Sequence, residues 1–191
     1  MWAVDPRRTS SAKFADSWLG LNVGTDIALA NGVAREIIHA DLINEEFIEN
    51  ATEGYEEFKT HVEPWTLEVT SKITGIPSEA IADLARGYAT AQTAQILWTL
   101  GITEHHTGVD NVLALSNLSL LTGHVGKLGS GLVPLRGQNN VQGGGDMGAL
   151  PNKLPGFQDV DDDKIRARFE KVWKSKFSGE HGLNLTQMFE A

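Results

Sequence analysis

The chain has 191 residues, 41% of them hydrophobic, with 16 Lys and Arg against 25 Asp and Glu and a formal net charge of −9. That charge makes a nucleic-acid backbone an unfavourable partner, and no apolar run is long enough to span a bilayer. The absence of cysteine excludes disulfides, thiolate zinc sites, cysteine-ligated iron–sulfur clusters and cysteine nucleophiles within these residues.

The length allows one domain or one and a half. No basic, apolar leader opens the chain, and a soluble, cytoplasmic protein is the expectation. Trp2-Ala3-Val4 already reads as a strand, as though the segment were cut from something longer. Asp5-Pro6-Arg7 ends that strand, because proline cannot continue a central one. Thr9 or Ser10 can cap a short helix through Ala15, and a second short strand is expected over 18–21. The turn Asn22-Val23-Gly24-Thr25-Asp26 leads into a helix whose apolar residues recur at Ile27, Val33, Ile37 and Ile38. The start of that helix offers unpaired N–H groups and the positive end of its dipole.

Residues 44–90 read as a string of helices. Asn44 begins one, with Glu45 and Glu46 well placed in its first turn. Pro64 starts another, which Gly75 can end, and Pro77-Ser78-Glu79 opens the clearest, with Ile81, Leu84, Ala85 and Tyr88 on one face. Residues 94–101 then read as a buried strand, followed by Ile102-Thr103-Glu104-His105-His106. Residues 109–121 form an apolar helix that should be buried on most sides. Gly123, Gly126 and Gly129 punctuate the turn after it.

The segment 134–148, Pro-Leu-Arg-Gly-Gln-Asn-Asn-Val-Gln-Gly-Gly-Gly-Asp-Met-Gly, shows no helix or strand period. It holds one cation, Arg136, one anion, Asp146, and the amides Gln138, Asn139, Asn140 and Gln142. Amides both donate and accept, and glycines let backbone N–H groups approach closely, so the chemistry suits an anion or a large polar cofactor; a disordered linker is the bland alternative. Pro151 and Pro155 mark an extended stretch. Residues 161–174 form an exposed helix with Ile165, Phe169 and Val172 as its apolar stripe, and the tail should fray.

Strands alternating with helices imply a parallel sheet with crossover helices, and in such sheets ligands bind beyond the carboxyl ends of the strands. The turns Asp5-Pro6-Arg7, Gly24-Thr25-Asp26 and 101–108 should therefore open on one edge. Arg7 can pair with a phosphate, Asp26 can accept from a ring N–H or a ribose hydroxyl, and Gly24 lets the backbone come close. None of these turns is a G-x-G-x-x-G or Walker sequence, so an ordinary dinucleotide site or P-loop is not supported. His105 and His106 are adjacent and lack the spacing of a two-histidine metal site, and His39, His61, His124 and His181 are isolated, so no metal ligand is assigned.

Val4-Asp5-Pro6-Arg7 with Thr9, Ala12, Ala15 and Asp16, followed by Gly24-Thr25-Asp26, resembles the guanine-dinucleotide-binding half of the molybdopterin oxidoreductases. Leu100-Gly101-Ile102-Thr103-Glu104-His105 resembles their next cofactor turn, and Thr122-Gly123 with Gly126-Lys127 and Gly129 fits the helix end that follows. The loop from Arg136 to Gly143, with Asp146-Met147-Gly148-Ala149-Leu150-Pro151, is similar to the version in formate dehydrogenase catalytic subunits.

The resemblance implies a molybdenum or tungsten ion held by two pterin guanine dinucleotides. Asp5, Arg7, Gly24 and Asp26 match positions around one guanine dinucleotide; Leu100, Gly101 and Glu104 match positions lining the pterin. Glu104 stands where many relatives have glutamine, and a carboxylate there can accept from pterin N–H groups but cannot donate. Arg136 matches the arginine that orients formate, and Gln138 falls beside it as a cofactor contact. In the family a cysteine or selenocysteine metal ligand and a four-cysteine segment for a 4Fe-4S cluster lie upstream, and neither is in these residues. The expectation is an α/β, Rossmann-like parallel sheet with flanking helices and a helix-rich insert. Residues 1–133 would be part of a guanine-dinucleotide-binding domain, and 134–191 an active-site loop and the start of the next domain. The parent protein would use formate and pass electrons to further subunits or domains, and the segment alone would be inactive. An uncovered sheet edge invites self-association. A nitrate reductase relative and a non-enzymatic nucleotide-binding module are the alternatives.

Overall fold

The computed structural model describes residues 1–191, which divide into two compact units, Met1–Leu135 and Arg136–Ala191. In chain order the first unit holds β1 (Trp2–Val4), α1 (Ser10–Phe14), β2 (Ser17–Leu19), α2 (Asp26–His39), α3 (Glu45–Ala51), α4 (Tyr55–Val62), α5 (Leu67–Thr74), α6 (Ser78–Ala89), β3 (Gln95–Trp98), α7 (Leu100–Thr103), α8 (Gly108–Thr122) and β4 (Gly131–Pro134). The second holds α9 (Val141–Asp146), β5 (Lys153–Leu154), β6 (Gln158–Asp159), α10 (Asp163–Trp173) and α11 (Leu185–Glu190).

The core of the first unit is built around α2. Its residues Leu29, Ala30, Val33, Ala34 and Ile37 are buried, and the helix packs against α4, α5, α6 and α8. Ile81 and Ala85 of α6 and Leu118 and Leu121 of α8 close the same cluster. Ile37 and Ile81 are fully buried, and each such side chain contributes about 1.5–3 kcal/mol of transfer free energy. At Gly32 α2 packs tightly on α5: a methyl group added there would overlap the side chain of Thr70, itself fully buried. Past α4, Glu63 fastens the outer face of α2. Its carbonyl accepts from Arg35 Nε at 2.7 Å, and its carboxylate meets Arg35 Nη2 at 3.0 Å and His39 Nε2 at 2.8 Å. These contacts, His39 first, hold the Glu63 carboxyl below the usual carboxylate range.

The α/β class and the parallel pairing of the strands agree with the sequence reading. β1 pairs with β2 in parallel, Val4 opposite Leu19, and β3 pairs with β4 in parallel, Trp98 opposite Pro134. The expectation of one continuous sheet is corrected, because these are separate two-stranded sheets and β5–β6 is an antiparallel pair. Five helices, α2 to α6, lie in the chain between the first pair and β3, and β3 finds its partner in β4, a strand with no expectation from sequence. With one neighbour only, β3 is half-exposed rather than buried, and Leu97 is 55% exposed. The strand ends at Trp98, and 100–103 turn into α7. α8 likewise buries one face: Asn111, Ala114, Leu118 and Leu121 are covered, while Val109 and Leu113 stand in solvent because no element covers that side.

Helix starts follow the caps. Thr9 accepts from Ala12 N–H, Asn44 from Phe47 N–H at 3.0 Å and Asp162 from Ile165 N–H at 3.1 Å. α5 starts at Leu67 rather than Pro64 because Thr66 supplies the capping oxygen, and Gly75 ends it in the left-handed region at φ +77°. No helix is long and apolar enough to cross a membrane.

Candidate functional site

In the first unit the side chains singled out from sequence sit at strand exits. β1 and β2 run parallel, so the turn from Asp5 to Arg7 and the longer one to Asp26 both leave the carboxyl end of the same sheet. The Asp5 carboxylate accepts from Arg7 N–H at 2.7 Å, and its carbonyl accepts from Trp18 Nε1 at 2.8 Å. Asp5 thus shapes the turn that presents Arg7. The Arg7 guanidinium is exposed and has no protein partner, whereas its neighbour Arg8 lies over the Trp18 ring, 5.8 Å from the centroid.

The second turn is anchored by Asn22, whose role no local sequence signal reveals. Its N–H donates to Thr74 O at 2.7 Å and its Nδ2 to Ile73 O at 2.9 Å, satisfying two carbonyls at the end of α5. Thr25 Oγ1 donates back to Asn22 O at 2.7 Å, which leaves its hydroxyl oxygen out of the capping role. The first N–H groups of α2 consequently have no side-chain cap, and Asp26 stands in that first turn with no hydrogen-bond partner of its own. Gly24 sits at φ +82°, a conformation that favours glycine, with open space where a side chain would be. The arrangement offers a free guanidinium, unpaired backbone N–H groups and a free carboxylate at one sheet end: donors for an anion and an acceptor for N–H or O–H groups.

Leu100, Gly101 and Glu104 belong to the other parallel pair, so the expected single edge carrying all three turns is not formed as one sheet. All three residues are exposed in and just after α7. The α7 turn is pinned from behind: His105 Nε2–H donates to Gly101 O at 2.8 Å, and the buried Asn111 donates to Ile102 O at 2.7 Å. His105 is thereby a structural donor on the Nε2 tautomer. At the end of β4, Leu135 N–H donates to Trp98 O at 2.7 Å, and the second unit begins at the next residue.

The segment from Arg136 to Gly148, read from sequence as lacking regular structure, contains α9. Asn140 at φ 54° turns the chain into it, and Gly144 N–H donates to Asn140 O at 2.9 Å. The glycines cost helix propensity, but the backbone is tied down at its far end: Asp146 O accepts from Gly156 N–H at 2.6 Å and Phe157 N–H at 3.3 Å, both in the β5–β6 turn. One turn of helix brings Gln142 beside Asp146. Gln142 Nε2 donates to Asp146 Oδ1 at 3.1 Å, and Gln142 Oε1 accepts from Arg136 Nη2 at 3.0 Å. The rest of the Arg136 guanidinium is exposed and free of protein partners. Gln138 is exposed nearby in sequence, with its amide unengaged.

No group of three or more His, Asp, Glu or Cys side chains is placed to hold a metal ion. A hollow of about 490 Å³ in the first unit is lined by Asp41, Asn44, Glu45, Thr122, His124 and Lys127 among others, and by none of the candidate site residues. His124 there is 2% exposed and donates through Nε2 to Tyr88 O at 2.9 Å.

The family model described as molybdopterin oxidoreductase matches residues 1–188. The chain belongs to the molybdopterin oxidoreductase family. Among curated members of the family it is 46% identical over 188 residues to the F420-dependent formate dehydrogenase subunit alpha of Methanocaldococcus jannaschii, matching 98% of this chain and 28% of that protein. It is 49% identical over 173 residues to the F420-dependent formate dehydrogenase 2 subunit alpha of Methanococcus maripaludis, matching 91% of this chain and 25% of that one. Against formate dehydrogenase H of Escherichia coli it is 44% identical over 169 residues, 88% of this chain and 24% of the other. The chain thus spans about a quarter of the length of these relatives. Among solved structures, acetylene hydratase from Pelobacter acetylenicus aligns with a TM-score of 0.62 and 35% identity over 64% of this chain and 17% of that one. A molybdopterin cofactor follows from the family itself.

Proposed function

We propose that this chain is the cofactor-binding portion of a formate dehydrogenase-type molybdopterin oxidoreductase, and that the full-length subunit oxidises formate to carbon dioxide. The observation that carries the reading is the 46% identity to a formate dehydrogenase alpha subunit across nearly every residue of the chain. The solved relative bears the name of a hydratase, so family membership alone does not select the reaction; in this reading the selection rests on Arg136.

The donor set suits a pterin guanine dinucleotide. The unpaired Arg7 guanidinium and the uncapped start of α2 are cationic and N–H-rich, as a pyrophosphate requires. Asp26 would accept from a guanine N–H or a ribose hydroxyl, and the open space over Gly24 admits the tail close to the backbone. Asp5 would act by holding Arg7 in its turn. Leu100, Gly101 and Glu104 would line the pterin, with Glu104 accepting only, and Gln138 would add an amide contact. When bound, the molybdenum or tungsten centre supplies the acceptor for two electrons. Arg136 would bind the formate carboxylate through its free N–H groups and offset charge as the C–H bond breaks, releasing carbon dioxide, a proton and two electrons. Without cysteine in these residues, a 4Fe-4S cluster would take its ligands from other parts of the parent protein, which would also carry the electron-transfer partners.

The test is formate oxidation by the full-length subunit. Replacing Arg136→Ala is expected to lower kcat/KM for formate by about 10²-fold or more at unchanged metal content, and Arg136→Lys to recover only part, because an ammonium cannot form the two-pronged contact. Turnover undisturbed by Arg136→Ala would overturn the reading. The 191-residue chain alone is expected to show no turnover.

A further inference from the structure

The second unit places Arg136, Gln142 and Asp146 in a hydrogen-bonded line, and we infer that Gln142 and Asp146 are positioning residues for the Arg136 guanidinium. The inference rests on the reading of Arg136 as the group that holds the substrate carboxylate.

The order of the three is chemically specific. A carboxylate only accepts, so the Asp146 oxygen takes the NH₂ end of the Gln142 amide at 3.1 Å. The amide oxygen is then forced to face Arg136, whose Nη2 donates to it at 3.0 Å. With Asp146 gone the amide could turn over and point its NH₂ at the guanidinium, which has no acceptor to offer. Asp146 is itself fixed by its carbonyl, which two N–H groups of the β5–β6 turn hold. The hairpin therefore sets Asp146, Asp146 sets the amide, and the amide sets one edge of the arginine.

The neutral link matters as much as the geometry. A carboxylate in direct contact with Arg136 would form a charge-assisted pair, often two-pronged, and would compete with a carboxylate substrate for the same donors. An interposed amide orients the guanidinium with a single neutral acceptor and leaves its charge and remaining N–H groups available. Gln142 and Asp146 lie at i and i+4 on α9, the spacing that brings side chains together on one helix face. The side chains of Gln142 and Asp146 make no other hydrogen bond or ion pair, so their removal tests this line and little else.

Two measurements separate this proposal from the proposed function. In the isotopically labelled 191-residue chain, the Arg136 guanidinium N–H signals, assigned by their loss in Arg136→Lys, should show hindered rotation. Gln142→Ala and Asp146→Ala should average them, while Asp146→Asn, which keeps an acceptor oxygen, should preserve them. Unchanged backbone signals of Gly143, Gly144 and Gly145 would show that α9 persists. Identical Arg136 dynamics in the original chain and Gln142→Ala overturn the proposal, whatever the substrate. In the full-length subunit, Gln142→Ala should lower kcat/KM for formate about tenfold, chiefly through KM. Gln142→Glu should raise KM further by pairing directly with Arg136, and Asp146→Asn should remain near the original. If Arg136→Ala abolishes turnover and Gln142→Ala leaves KM unmoved, the positioning role fails while the functional reading stands. If Arg136→Ala is silent, the functional reading fails, and the guanidinium dynamics alone decide the positioning.

Discussion

His124 illustrates how much a single residue depends on its surroundings. Its ring is 2% exposed, Nε2–H is committed to the Tyr88 carbonyl at 2.9 Å, and Nδ1 has no partner. Burial pushes its pKa below the ordinary 6.5, against the Tyr88 hydrogen bond and with the help of Lys127. Above pH 6.5 the ring is neutral in both folded and unfolded chains, and its contribution to stability is complete. As the pH falls below that value the unfolded chain takes up a proton more readily than the folded one, so stability is lost. The loss continues until the folded ring also titrates. Urea midpoints measured from pH 7.5 down to 5 should therefore fall more steeply for the original chain than for His124→Gln; parallel profiles would count against this account. From sequence, His124 was an isolated histidine, and the role of Asn22 was equally hidden. Its partners, the carbonyls of Ile73 and Thr74, lie some fifty residues away. By contrast the caps Thr9 and Asn44 were legible, because a cap bonds an N–H only three residues on.

At the scale of elements, helices were easier to read than strands for a physical reason. An amphipathic helix carries its hydrogen bonds within itself, so periodicity and caps locate α2, α5, α6, α8 and α10 to within a few residues. A strand exists only where a partner strand lies beside it. β4, over Gly131–Pro134, has no sequence period, and β3 was too long and too buried in the sequence reading because its neighbours could not be counted. α9 was missed because glycines weaken its intrinsic helicity, while hydrogen bonds from the distant Gly156 turn hold its end. The α2–α5 contact offers a sharp test. Gly32→Ala would drive a methyl group into the fully buried Thr70 side chain, and overpacking of this kind costs about 1–3 kcal/mol. The thermal or urea midpoint of Gly32→Ala should drop accordingly, and Gly32→Ala combined with Thr70→Ala should recover part of the loss by removing both crowding atoms, the Thr70 hydroxyl and methyl.

At the scale of the whole molecule, the first unit has two parallel pairs with apolar residues around them in solvent. Trp2, Val4 and Trp18 are each about 40% exposed on the first pair, and Leu97 is 55% exposed on the second. Two-stranded sheets leave an unpaired edge on each strand, and such edges template pairing with another chain. Light scattering of the chain at tens of micromolar is expected to show self-association, reduced by Trp2→Lys, a charge on an exposed edge strand; a monodisperse monomer across that range would refute it.

The amino-acid sequence alone determined the helical string, the caps, the turn residues Arg7, Gly24 and Asp26, and the amide- and glycine-rich composition of the Arg136 segment. Each of these is a local signal, carried by residues within a few positions of one another. Only tertiary structure decided that the strands pair in twos, that Asn22 is moored to the end of α5, and that Gln142 and Asp146 stand in line with Arg136. Those facts depend on hydrogen bonds whose partners, or whose supports, lie far along the chain. A donor in one segment does not reveal which distant acceptor folding will bring to it.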